Sequence, residues 1–188
     1  MSNASSSPAA LSSQVQSSSA LAQPAPPIHT ISILVRNKPG VLVRVALVFS
    51  RRGYNIESLV VSPDVANGDF SRMTITCSGD PETLEQIIKQ CTKLIDVVHA
   101  IDHTGQAVIE TEIALVKLKC RLNQRTEILQ IAEHYKAKVV DYGPESLILR
   151  VYGESEKLDS FVALLRPFEI VELVRSGKIL MVRGQEET

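Results

Sequence analysis

IHTISILVRNKPGVLVRVALVF, residues Ile28 to Phe49, passes from one structural period to another within a single short run. Over its first part His29, Ile31, Ile33 and Val35 form an apolar face and Ile28, Thr30, Ser32 and Leu34 a more polar one, the alternation of a strand. Asn37-Lys38-Pro39-Gly40 interrupts it, and Leu42, Val45, Ala46 and Phe49 then recur at helical spacing until Gly53, a C′ glycine behind Arg51 and Arg52. Working outward, Ile56 to Val61 and Phe70 to Cys77 read as strands joined across Pro63-Asp64 and Asn67-Gly68-Asp69. Asp80-Pro81 supplies an N-cap and a first-turn proline for a helix whose buried stripe is Leu84, Ile87, Ile88 and Cys91. Leu94 to Ile101 closes the unit as a strand. The order β-α-β-β-α-β is that of a ferredoxin-like unit, with both helices on one face of a four-stranded antiparallel sheet.

The same order then returns. Ile113 to Cys120 alternates as a strand, Asn123 caps a helix bearing Ile128, Leu129, Ala132 and Tyr135, and Lys138 to Asp141 pairs through Tyr142-Gly143-Pro144-Glu145 with Leu147 to Tyr152. Ser155 caps a helix carrying Leu158, Phe161, Val162 and Leu165, Pro167 stops it, and Ile170 to Val174 is the last repeat strand. Gly177 to Val182 is left over as an edge strand. The chain is therefore expected to be α+β, two tandem ferredoxin-like βαββαβ units. They span 28–103 and 110–184, joined by a linker, 104–109, that opens with Thr104-Gly105-Gln106-Ala107. Residues 1–27 hold no charged residue and consist largely of Ser, Ala, Pro and Gln, the composition of a disordered tail. They lack the basic and apolar regions of a signal peptide.

Composition excludes several classes of function. With 44% hydrophobic and 22% charged residues the chain can build ordinary cores. Lys plus Arg is 20 against 21 for Asp plus Glu, so no basic field draws in a polyanion, and 4% aromatics with no Trp offer no stacking platform. RNA-recognition modules share the β-α-β-β-α-β order, but their aromatic and basic signature is missing, and no nucleic-acid partner is expected. No apolar run reaches the ~18 to 20 residues of a membrane helix; the longest, Val41 to Phe49, is broken by Arg44. Cys77, Cys91 and Cys120 are odd in number and widely spaced, which fits neither a disulfide framework nor a zinc site and points to the reducing cytoplasm.

Catalytic chemistry finds no foothold. His99 and His103 are four apart on a segment read as a strand, where that spacing spans ~13 Å and rules out one shared ion. They read more simply as interdomain or surface histidines. No nucleophile elbow, phosphate loop or dinucleotide fingerprint occurs. The carboxylate pairs Glu154 with Glu156 and Glu186 with Glu187 fall at a helix start and near the chain's end, as solvated or dipole-favoured groups.

Two segments suit a small ligand. Asn37-Lys38-Pro39-Gly40-Val41-Leu42 ends a strand and opens a helix whose first N–H groups are free, and Gly40 lets a carboxylate approach them. Arg51-Arg52-Gly53-Tyr54-Asn55-Ile56-Glu57-Ser58-Leu59 leads into the second strand, expected beside the first loop, where Asn55 offers a donor and an acceptor to the charged ends of an α-amino acid. Spacing alone fits a tight turn and an ordinary turn asparagine equally well.

Asn37-Lys38-Pro39-Gly40-Val41-Leu42-Val43-Arg44 resembles the first loop and helix of ACT domains, which sense amino acids. Arg52-Gly53-Tyr54-Asn55-Ile56-Glu57-Ser58-Leu59 with Phe70-Ser71-Arg72-Met73-Thr74-Ile75 resembles, more specifically, the small regulatory subunits of acetolactate synthase. The likeness continues through Lys93-Leu94-Ile95-Asp96-Val97, Glu112-Ile113-Ala114-Leu115-Val116-Lys117 and Arg175-Ser176-Gly177, over about 29 to 184. The resemblance implies an ACT domain followed by a second ferredoxin-like domain, in a chain that does no chemistry and holds no cofactor. A separate large subunit with thiamine diphosphate, FAD and magnesium would join two pyruvates, or pyruvate and 2-oxobutyrate, with loss of CO2. This chain would activate it and confer inhibition by valine or another branched-chain amino acid. It implies a homodimer through the ACT domains, with the effector between protomers: Asn37, Pro39, Gly40, Val41 and Leu42 on one wall, Asn55 and Ile56 on the other. The alternative expectation is a free-standing amino-acid-sensing ACT protein with a different partner.

Overall fold

The computed structural model describes residues 27–65, 67–185 and 188. The tail expected over 1–27 lies outside them apart from Pro27, and so does the pair Glu186 and Glu187. The alternating run becomes β1 (Ile28–Arg36), and Gly40 ends the loop that turns it into α1 (Val41–Arg51). β2 (Asn55–Pro63) and β3 (Phe70–Ser78) form the expected hairpin. In α2 (Pro81–Cys91) Asp80 caps as predicted, its Oδ1 accepting the Glu82 and Thr83 N–H groups at 3.0 Å each. β4 (Val97–Asp102) starts three residues later than Leu94, because the Leu94 N–H donates to Cys91 O, and the Val97 N–H to Leu94 O, in tight turns that bring the chain to the ladder at Val97.

The second half repeats the scheme with β5 (Val108–Lys119), α3 (Leu122–His134), β6 (Lys138–Tyr142), β7 (Ser146–Gly153), α4 (Ser155–Leu165) and β8 (Glu169–Arg175). The sheets share one order, β2-β3-β1-β4 and β6-β7-β5-β8, all pairings antiparallel. The leftover segment is β9 (Ile179–Val182), and it corrects the expected linker. Val108 to Thr111 pair with it residue for residue, so Val108 and Ile109 belong to a strand and the connection shrinks to 103–107. Two caps also move. Arg121 stands at the N-cap of α3 and donates its N–H to Gln124 Oε1 (3.1 Å), leaving Asn123 inside the helix. Ser155 is the first helical residue of α4, after Glu154, and its hydroxyl goes to Glu112 across the fold.

Each half buries its own core. In the first, Ile31, Ile33, Met73 and Ile75 of the central strands meet Val41, Val45 and Phe49 of α1 and Leu84, Ile87 and Cys91 of α2. The helical stripe therefore runs at four-residue steps from Val41, and Leu42, expected on it, stays exposed. In the second, Val116, Leu118, Leu147 and Leu149 meet Ile128, Ala132, Leu158, Phe161 and Leu165. Large side chains such as Phe49 and Phe161, about 1% and 0% exposed, contribute ~1.5 to 3 kcal/mol each. The other face of the first sheet, though polar, is buried too: Thr30, Ser32, Thr74 and Thr76 are under one tenth exposed. His103, following β4, shares a 2.7 Å hydrogen bond with Ser32 Oγ and another of 3.0 Å with Gln106.

Candidate functional site

At the end of β1, Arg36 N–H donates to Asp96 O and Asn37 N–H to Asp69 O, while Asn37 Nδ2 donates to Gly68 O (3.2 Å). These bonds pin the chain where it must reverse, and Gly40 turns it with φ of +82°, a conformation that costs other L residues ~1 to 2 kcal/mol. Among the described residues no side chain caps α1, and no acid lies in its first turn. The Leu42 and Val43 N–H groups thus have no intrahelical acceptor, and with the positive end of the helix dipole they favour an anion. Among the described residues a Cβ on Gly40 would meet, within 4 Å, only Arg44 Nη1 at 3.5 Å, so the approach is open. Asn37, Lys38, Pro39 and Leu42 are exposed around it, whereas the Val41 side chain is in the core and offers a ligand only its backbone.

Asn55 is exposed where β2 begins. Its Nδ2 donates to Glu57 Oε1 at 3.1 Å, and Ser78 Oγ donates to the same oxygen at 2.8 Å. The Ser78 hydroxyl first, and the Asn55 amide second, hold the Glu57 carboxyl below the usual carboxylate range. Asn55 and Ile56 line an open cavity of about 440 Å³ with Ala46, Phe49, Ser50, Gly53 and Tyr54. Glu57 was missed in the sequence, because what brings it to Asn55 and Ser78 is a register shift between Ile56 and Ser58 that simple alternation does not foretell.

The two walls do not meet within the chain, contrary to the expected neighbourhood. Arg36 pairs with Phe70 and Asn55 with Ser78, positions eight residues apart along β3. At ~3.3 Å per residue that separates the Gly40 loop from Asn55 by about 26 Å along the sheet. The eleven residues of α1 run between them.

The other candidates resolve into structure. His103 is held by Ser32 and Gln106, and among the described residues no group of three or more His, Cys, Asp or Glu is placed to hold a metal ion. Cys77, Cys91 and Cys120 are buried and free, and burial pushes the Cys77 and Cys91 thiols up to about 11, far from a nucleophile's range. Arg125, also missed, is 5% exposed and donates from Nη2 at 2.5 Å to the Gly143 and Pro144 carbonyls, pinning the β6–β7 turn to α3.

Residues 111–184 match the family described as the small subunit of acetolactate synthase, and residues 31–99 match the ACT domain of such subunits. The chain is 43% identical over 159 residues to a probable acetolactate synthase small subunit of Archaeoglobus fulgidus, covering 85% of this chain and 99% of that one. It is 42% identical over 159 residues to the acetolactate synthase small subunit of Mycobacterium bovis, with 85% and 94% covered. The crystal structure of the small subunit from Thermotoga maritima superposes with a TM-score of 0.76 at 35% identity, over 85% of this chain and 99% of that one.

Proposed function

This chain belongs to the acetolactate synthase small-subunit family, and from that premise we propose that it activates the large catalytic subunit and binds valine, or another branched-chain amino acid, between two of its own protomers. The observation that carries the reading is the strand register, which parts the Gly40 loop from Asn55 within one chain. β2 is an edge strand whose only charged residue is Glu57, so its outer backbone groups lack the lysine that usually guards such an edge. A two-fold axis beside it pairs β2 with its copy antiparallel, as an isologous dimer requires. The start of one β2 then lies against the end of the other, the end of the sheet at which the partner's Gly40 loop sits.

In this composite site the effector carboxylate accepts the Leu42 and Val43 N–H groups at the start of α1, beside Asn37 and Pro39. Asn55 of the opposing protomer, with Ile56 next to it, receives the ammonium end and apolar side chain. Residues 28–103 form the effector-binding half and 110–184 the second. Thiamine diphosphate, FAD and magnesium belong to the large subunit, which condenses two pyruvates, or pyruvate with 2-oxobutyrate. Valine lowers the rate only by binding two arrangements of the complex unequally, and ~1 to 3 kcal/mol of coupling suffices. The buried free thiols are in keeping with a cytoplasmic setting. The test is co-purification with the large subunit and an acetolactate assay with and without valine. A higher rate that valine reduces is expected; an unchanged rate at saturating small subunit refutes the assignment.

A further inference from the structure

Arg175-Ser176-Gly177 takes no part in the site just described, yet it presses on the strand that carries Asn55. Gly177, at φ +80°, lies so close to β2 that a Cβ there would stand 2.8 Å from Ser58 Cβ, 2.9 Å from Ser58 Oγ and 3.4 Å from Val60 Cγ2. The loop behind it is clamped to the second half at three successive points. Arg175 Nε donates to Glu112 at 3.0 Å. Ser176 N–H donates to Ile113 O at 2.9 Å while its Oγ accepts from Ile113 N–H at 3.1 Å. Lys178 Nζ donates to Glu110 at 2.9 Å. A contact held this firmly on one side moves only if the other side moves.

The strand side has the means. The β2–β3 register shifts between Ile56 and Ser58, a bulge at Glu57. Glu57 accepts from the Asn55 amide and the Ser78 hydroxyl, and it also lines a cleft of about 620 Å³ with Arg175, Lys178 and the carboxylates Glu110, Glu112, Glu154, Glu156 and Asp159. We propose that the bulge at Glu57 and the Ser58–Gly177 contact form the joint that relays effector occupancy from Asn55 to the second half, a step that rests on the effector reading above. A ligand that takes the Asn55 side chain releases Glu57 from it. The two states are then Glu57 held by both Asn55 and Ser78 and Glu57 held by Ser78 alone, and the bulge changes shape against an unyielding Gly177.

The experiment uses the full chain with its large subunit and reads valine binding by calorimetry apart from valine inhibition of acetolactate formation. In Gly177→Ala, valine affinity is expected to stay within about threefold of wild type while the inhibition reached at saturating valine falls by roughly fivefold or more, the range of an allosteric coupling. Adding Ser58→Gly, which removes the atoms the new methyl strikes, is expected to restore inhibition to within about threefold, as coupled neighbours do in a double-mutant cycle. Ser58→Val loads the same contact from the strand side without straining residue 177 and is expected to uncouple likewise, so a misfolded Gly177→Ala chain leaves the test intact. Undisturbed inhibition in the folded single variants, or no recovery in the double variant, overturns the joint. Failure of the wild-type chain to bind valine overturns the effector reading instead.

Discussion

Two damaged chains are expected to repair each other. Gly40→Asp puts a carboxylate into the cradle at the start of α1, at a φ of +82° that Asp tolerates better than most residues. Two like charges at 4 Å repel by about 4 kcal/mol at an effective dielectric of roughly 20, enough to lower valine affinity by about a thousandfold. Asn55→Ala removes the partner of the other charged end and is expected to cost ~1 to 3 kcal/mol. The two walls stand at opposite ends of β3, so in the proposed dimer each site takes one wall from each chain. A mixed dimer therefore holds one site with both lesions and one with neither. After joint denaturation and refolding of equal amounts, half of the dimers are mixed, and about a quarter of all sites regain wild-type affinity. Calorimetric stoichiometry reads this directly. If the mixture shows no tight sites while both variants remain dimeric, the composite site is wrong.

Val61→Lys places on the unguarded edge strand the kind of charge that natural edges use to block pairing, and should weaken the dimer by about tenfold or more in sedimentation. Asp80→Ala removes the acceptor of two α2 N–H groups and should lower stability by about 1 kcal/mol in urea unfolding. The Cys77 and Cys91 thiols are held at about 11, above their ordinary 9.0, so between those values the unfolded chain loses protons that the folded chain keeps. Stability should be unaffected by these groups below pH 9 and fall by roughly 2 to 3 kcal/mol per thiol on approaching pH 11. The same fall in a Cys77→Val, Cys91→Val chain would show that other groups cause it.

Local signals were legible wherever a residue acts on its own neighbours. Alternation marked the central strands, and Asp80-Pro81 marked α2, because both depend on residues adjacent in the chain. Ser155 misled because its hydroxyl is recruited by Glu112, 43 residues away, and Val108 and Ile109 looked like linker because their pairing strand lies some seventy positions further on. The loop glycine and Asn55 could be singled out by residue type. Their placement at opposite ends of the sheet could not, since it depends on how three strands align, which no short window contains. Arg125 hid for a related reason: a charge on a helix reads as solvated until the carbonyls it serves are known.

The pairing of β9 with the beginning of β5 sets an order of events during synthesis. Domains emerging from the ribosome fold from the N-terminal side, and both sheets here draw all the strands of their four-stranded path from residues before Ser176. Val108 to Thr111, next to the connection, have no ladder partner until Ile179 to Val182 have been translated. The two halves are thus free to reach their own cores separately, and the segment between them is secured last. A released chain cut before β9 would carry two formed sheets on an unsecured hinge, which makes that strand the latch of the assembly.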